Sequence, residues 1–274
     1  MALAEVRQLD LVLNLRDKAS KELRSFGTEL NLIKGALKGL AVGLVGAGVA
    51  TGIFAKDAIQ DANEMQGAFD KFNTVFGEGA KDMEAFVNEI RKTMPTARKD
   101  IIRLAADMQD LLVPMGLSRE LSQDMSKGFL DVANKIGAFN DVDPTQVLES
   151  IKSGLAGSSE PLRRFGVNAL ESALEARALS EGLLKAGQSF KDLEPDVKAQ
   201  IRAQALLAQI TDNSSDAIAG FEKNNDSLDR RMLDLKATFV DVRTEMGTKL
   251  IPIVDAVAKK LLGFFTEERK NEKI

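Results

Sequence analysis

The side chains able to do chemistry in this chain are almost all carboxylates: 41 Asp and Glu stand against 37 Lys and Arg, with no His and no Cys in 274 residues. Two carboxylates flanking a sugar linkage can hydrolyse it, one as acid and the other as base or nucleophile. No acidic pair here stands in an apolar context that would shift its pKa, so solvated helix faces are the expected place for them. The lack of His removes the usual general base near neutral pH, the commonest metal ligand and every Ser-His or Cys-His nucleophile. The lack of Cys removes disulfides and thiolate metal sites and fits a reducing compartment. Most enzyme classes fall away, and no catalytic residue, cofactor or metal site is expected.

Two further strings have the look of sites. GAGVATG at 46–52 has the glycines of a phosphate-cradling loop, but it lacks a Lys-Ser/Thr ending and a preceding strand, and it sits inside a helical pattern. Asn213-Ser214-Ser215 matches a glycosylation acceptor, yet MALAEVRQLD has no secretory character, so it reads as a turn and cap. The formal net charge is −4, the basic residues are interleaved with acids, and all 14 aromatics are Phe. Neither a phosphate-tracking stripe nor stacking Tyr or Trp is present, which argues against specific nucleic-acid binding. The expected first location is the cytosol.

Helices must carry most of these residues. Residues 5–15 alternate Leu9, Leu11, Leu13 and Leu15, which predicts a short strand with helix as the rival. Then Leu23, Phe26, Leu30, Ile33, Leu37, Leu40 and Leu44 recur at steps of three and four, the period of a coiled-coil seam. Gly35, Gly39 and Gly43 repeat every fourth residue, and from Gly39 to Ala55, a span that holds Val45, Val49, Ile53 and Phe54, no charge appears. This stretch has about the minimum length to cross a bilayer. Burial in a tight helical assembly is the preferred resting reading, because glycines in a helix need packing partners to offset their cost. Insertion in another state is compatible with both.

Further along, Ala58, Met65, Phe69, Phe72 and Phe76 form an apolar stripe that ends at the Gly-Glu-Gly of 77–79. Helices are predicted over 80–93, 96–112, 119–136 ending at Gly137, 143 to Gly154 or Gly157, 169–186 and 195–210. Ser118 is expected to cap one of them; Asp143, Pro144 and Gln146 are expected to form the cap, first turn and reach-back of another. After a turn at 211–216, Phe221, Asn225, Leu228, Met232, Leu235, Phe239, Val242 and Met246 make a second seam, with Pro252 kinking or interrupting that helix. An apolar patch at 251–265 comes after it. The expected fold is all-α, with two long coiled-coil-like arms flanking a bundle of short helices and a short N-terminal strand. Its parts are 1–62, a bundle over 63–212, and a C-terminal arm over 213–274.

The order of these features resembles the N-terminal region of a bacteriophage tail tape measure protein. The resemblance is carried by the LRDKASKEL helix with its Gly/Ala-rich continuation, by the run from Asp110 to Leu170, and by FEKNNDSLDRRMLDLKATFVDVRTEMGTKLIP. Within the middle run, Met115 to Ser118, the Gly154 to Gly157 turn and Leu162 to Gly166 match best.

The resemblance implies a structural rod in the tail tube lumen, a homo-oligomer with a trimer suggested. Its implied partners are the tube protein, tail assembly chaperones and distal tail proteins. It would be made in the host cytoplasm, set tail length, and leave ahead of the DNA, with the apolar helices contacting the host membrane. Leu23 to Leu44 and Leu228, Met232, Leu235, Phe239 and Val242 would be the association seams. A straight helix of 274 residues would span about 410 Å at 1.5 Å per residue. Family members are usually several times longer, so a fragment, a module and the ruler of a short tail are all open. Two rivals from other classes are a membrane-perforating pore-forming protein and a peptidoglycan-cleaving enzyme.

Overall fold

Apolar residues at helical spacing, interrupted by Gly and Pro every 10 to 20 positions, dictate a bundle of short helices between two longer ones. The computed structural model describes residues 48–215, 219–221 and 227–271, and its regular structure there is all-α. The order is α1 Gly48–Phe76, α2 Ala80–Ile90, α3 Arg98–Leu112, α4 Arg119–Phe139, α5 Pro144–Leu155, α6 Glu160–Arg163, α7 Glu171–Ser180, α8 Pro195–Asn213 and α9 Leu228–Asn271. Contacts divide the chain into two units, Met1–Phe54 and Ala55–Ile274. The second unit holds most of α1 and every helix after it.

The centre of this second unit is α4, which packs on α2, α3, α5 and α8. Phe129, Leu130, Ala133 and Ile136 on α4 meet Ile101, Ala105 and Met108 of α3 and Val147, Leu148 and Ile151 of α5 in one continuous core. The Phe stripe of α1 enters the same core: Phe72 and Phe76 are buried, with ring centroids 4.7 Å apart. Helices α7 and α8 form a hairpin closing the far side.

Most boundaries follow from local chemistry. Ser118 Oγ accepts from the Leu121 N–H at 3.2 Å, and Asp143 Oδ1 accepts from both the Thr145 N–H and the Thr145 hydroxyl. The reach-back expected of Gln146 is not made; the Thr145 hydroxyl takes up the Asp143 carboxylate instead. Four expectations need correction. α4 runs past Gly137 to Phe139, because this glycine serves close approach: a Cβ there would lie 2.9 Å from the Val142 carbonyl oxygen and 3.2 Å from Pro144. The stretch 169–186 is helical only over Glu171–Ser180. There Gly182 turns left-handed at φ 71°, Leu183 N–H reaches back to the Ala178 carbonyl, and Gly182 N–H to Leu179, which closes the helix five residues before Gly187. Finally, α9 continues through Pro252 without interruption, and α8 extends to Asn213 in place of a turn from 211.

The seam over 23–44, Gly35, Gly39, Gly43, Val45 and the strand predicted over 5–15 lie outside the described residues; Val49, Ile53 and Phe54 fall in the backbone of α1. Among the described residues, no helix is long and apolar enough to cross a membrane, the helix carrying 251–265 included.

Candidate functional site

Helix α9 carries two ridges of heptad spacing. Arg230, Leu233, Ala237, Val240, Thr244 and Gly247 recur at steps of three and four, and this is the ridge that faces the bundle. Of these, Arg230, Ala237 and Thr244 are buried at 2%, 4% and 7% exposure. The choice of small and polar residues suits a close helix crossing. A Cβ on Gly247 would overlap the Ala58 carbonyl of α1, and Ala58 and Ala62 supply the small surface opposite.

Polar groups then fix the position of α9. Arg230 Nη2 donates to the Thr93 carbonyl at 3.0 Å and to Asn134 Oδ1 at 2.7 Å, while Asn134 Nδ2 donates to Thr93 Oγ1. Burial pushes the Arg230 guanidinium down to about 10, against the pull of Asp141, Asp143 and Asp234. Arg91 is bonded on three sides by α9: Nε to Asp241 at 2.8 Å, Nη1 to Asp234 at 2.7 Å and Nη2 to Thr238 at 3.1 Å. The other oxygen of Asp241 accepts the Arg98 N–H at 2.6 Å, so a side chain of α9 caps the first turn of α3. Burial works against the charge of Arg91, and the two aspartates outweigh it, leaving its pKa raised. Nearer α1, Asp61 is shared between Lys99, at 2.6 Å, and Arg243; Lys99 also donates to Glu64.

The second ridge is the one anticipated from sequence. Leu228, Met232, Leu235, Phe239 and Val242 lie on one face at 74%, 58%, 63%, 45% and 37% exposure. At about 100° per residue they lie within about 40° of the point diametrically opposite Ala237. The residues that α9 buries fully are thus small or polar, with Leu233 and Val240 half-buried beside them, while these five large apolar residues face outward. The five large apolar side chains are exposed along one stripe rather than scattered over the surface. The docked ridge was missed in sequence. Its signal was present as the seven-residue recurrence of Arg230, Ala237 and Thr244, but the apolar ridge between them dominates any hydrophobic count.

An open depression of about 320 Å³ is lined by Gln146, Glu149, Ser150, Ser153, Pro161 and Arg164, and its single acid pairs with Lys152 at 2.8 Å. Among the described residues, no group of three or more acids is placed to hold a metal ion. Comparison of the chain with known proteins finds no matching family model, no matching curated protein and no matching solved structure.

Proposed function

We propose that this chain is a structural component of a phage or phage-like tail, acting as the tape measure in the tube lumen. What supports the reading is the exposed heptad stripe from Leu228 to Val242, which lies within one of the three stretches that resemble tape measure proteins. A helix with one face occupied by its own bundle and the opposite face apolar is built to add a further helix without unfolding. Copies of the chain associate along it, the tube protein polymerises around the resulting rod, and assembly chaperones cover the apolar surface beforehand. The chain is made in the host cytoplasm and resides in the virion tail. Distal tail proteins meet its end, and contact with the host membrane falls to the apolar stretches when it leaves the tube.

In this reading length is counted by extended helix rather than by the bundle. The 44 residues of α9 correspond to about 66 Å at 1.5 Å per residue. The deciding experiment is an in-frame insertion of four heptads into α9 within the gene cluster that encodes the chain, with tail lengths measured by electron microscopy. Tails longer by about 42 Å are expected, since 28 residues keep the seam in phase. Tails of unchanged length, or spontaneous dye release from liposomes by the purified chain, would overturn the ruler reading, the latter in favour of a membrane-perforating protein.

A further inference from the structure

Helix α9 is fastened to the bundle without entering its core. Among the described residues, none of its side chains belongs to the continuous apolar core that runs from α1 to α8 or packs against it. Its one buried apolar side chain there is Ala237; the rest of the joint is polar or a close approach of backbone. Ser227, just ahead of the helix, donates to Asp141 at 2.8 Å. One turn on, Arg230 meets the Thr93 carbonyl and Asn134, and beyond it Arg91 gathers Asp234, Thr238 and Asp241. Asp241 also takes the Arg98 N–H, and Arg243 pairs with Asp61 and, at 3.6 Å, with Asp57. At the last fastening Gly247 lies against the Ala58 carbonyl.

Both surfaces of this joint are ones that water can satisfy. Parting them returns charged side chains and backbone polar groups to solvent, and it uncovers no core to which α9 contributes. Ion pairs gain little against the cost of desolvating them, so they fix where a helix sits more firmly than how strongly it is held. Arg230 carries that cost visibly: burial brings its guanidinium down to about 10 despite Asp141, Asp143 and Asp234, and opening relieves it. Units with few buried apolar contacts are the ones that open ahead of global unfolding. We propose that α9 is a charge-held strap, opening from the bundle as one unit while α2 to α8 stay folded, with ionic strength setting how often it opens. The strap is independent of the ruler reading, because it rests on contacts within one chain and tail length does not enter its test. Closed, the ridge of Arg230, Ala237 and Thr244 is covered; open, the helix presents that ridge as well as the apolar stripe.

The chain has no cysteine, so one introduced thiol is the only reactive one. Ala237→Cys places it on the covered ridge of α9, and Ala133→Cys places it in the α4 core at 0% exposure. Each full-length protein is labelled with a thiol reagent under native conditions, with rates scaled to a free thiol at the same salt and circular dichroism confirming the fold. Residue 237 is expected to label about 100-fold faster than residue 133, because it answers to the strap and not to global unfolding. Raising NaCl from about 0.05 M to about 1 M shortens the screening length from about 14 Å to about 3 Å, and should speed labelling at 237 by about 3- to 10-fold without speeding it at 133. Asp241→Asn keeps an acceptor for the Arg98 N–H but removes a charge facing Arg91, and should speed labelling at 237 by about 10-fold while 133 is unmoved. Thr244→Cys gives an independent reading of the same ridge, since the Thr244 hydroxyl bonds only the Val240 carbonyl of its own helix, so a perturbation peculiar to Ala237→Cys is recognised. Equal rates at 237 and 133, or a rate on the ridge that is unmoved by salt or by Asp241→Asn, would overturn the proposal.

Discussion

Helices α4 and α9 solve opposite problems with the same 3.5- to 3.6-residue periodicity. α4 buries Met125, Phe129, Leu130, Val132, Ala133 and Ile136 against its neighbours α2, α3, α5 and α8, and only Leu121 and Phe139 at its two ends stay exposed among its large apolar residues. α9 buries an arginine, an alanine, a threonine and a glycine, and leaves Leu228, Met232, Leu235, Phe239 and Val242 exposed. Hydrophobicity alone therefore does not say which way a helix faces. What fixes α9 is shape at Gly247 and charge at Arg91, Asp234, Asp241 and Arg243, forces that set position while adding little apolar burial. The apolar ridge stays exposed.

That contrast is testable by how each helix responds to truncation. Phe129→Ala, deep in the α4 core, is expected to cost about 4 kcal/mol of folding stability, measured by denaturant unfolding. Gly247→Leu forces a side chain into the Ala58 backbone and is expected to cost about 3 kcal/mol and to expose α9 to protease, because the crossing has no room to relax. A Gly247→Leu protein with unchanged unfolding and unchanged proteolysis would mean that α9 is not held by this crossing. Arg91→Ala strips Asp234 and Asp241 of their partner and is expected to cost about 2 kcal/mol.

The same contrast explains what the sequence did and did not disclose. The all-α class, the Ser118 and Asp143 caps and the Phe72 and Phe76 stripe were legible because each is a local rule acting over one or two turns. The stripe from Leu228 to Val242 was legible as one apolar helix face because its period is regular, although periodicity could not say whether that face pointed inward or outward. Gly137 misled because a glycine needed for close approach to Val142 is indistinguishable in sequence from one that ends a helix. The Arg91 and Arg243 links were invisible because their partners lie 143 to 182 residues away, and charge carries no sequence period at that distance. Arg230 was hidden for a related reason: a buried arginine is recognised only by what surrounds it, here Thr93 and Asn134.

Smaller effects sharpen the outward ridge. Leu235→Lys places a charge where the side chain is already 63% exposed, so the unfolding free energy should change by less than about 0.5 kcal/mol. Under the proposed self-association, sedimentation of the same variant should show a sharp loss of oligomer, because the proposal buries that position between copies. A large loss of monomer stability would place Leu235 in the fold and erase the distinction between the two ridges.

The smallest expected effect is on pH dependence at the Lys99 cluster that ties α1 to α3. The Glu64 carboxyl is held below 4.5, first by its hydrogen bond from Lys99 and then by Gln60. A depressed acid binds its proton less tightly when folded, so its contribution is complete above about pH 4.5 and is lost as pH falls through the folded value. Lys99 has the opposite sign. Burial alone would lower it, but Asp61 and Glu64 together raise it above 10.5, so its contribution is complete below 10.5 and is lost as pH rises through the folded value. Asp100, raised above 3.8 by burial, opposes Glu64 on the acid side, since its ionised form is disfavoured in the fold. The expected thermal profile is flat from about pH 6 to 9 and falls below about pH 4.5, with Glu64→Gln making the acid limb shallower. A Glu64→Gln protein whose acid limb matched that of the unsubstituted chain would show that Asp61, not Glu64, is the partner on which Lys99 depends.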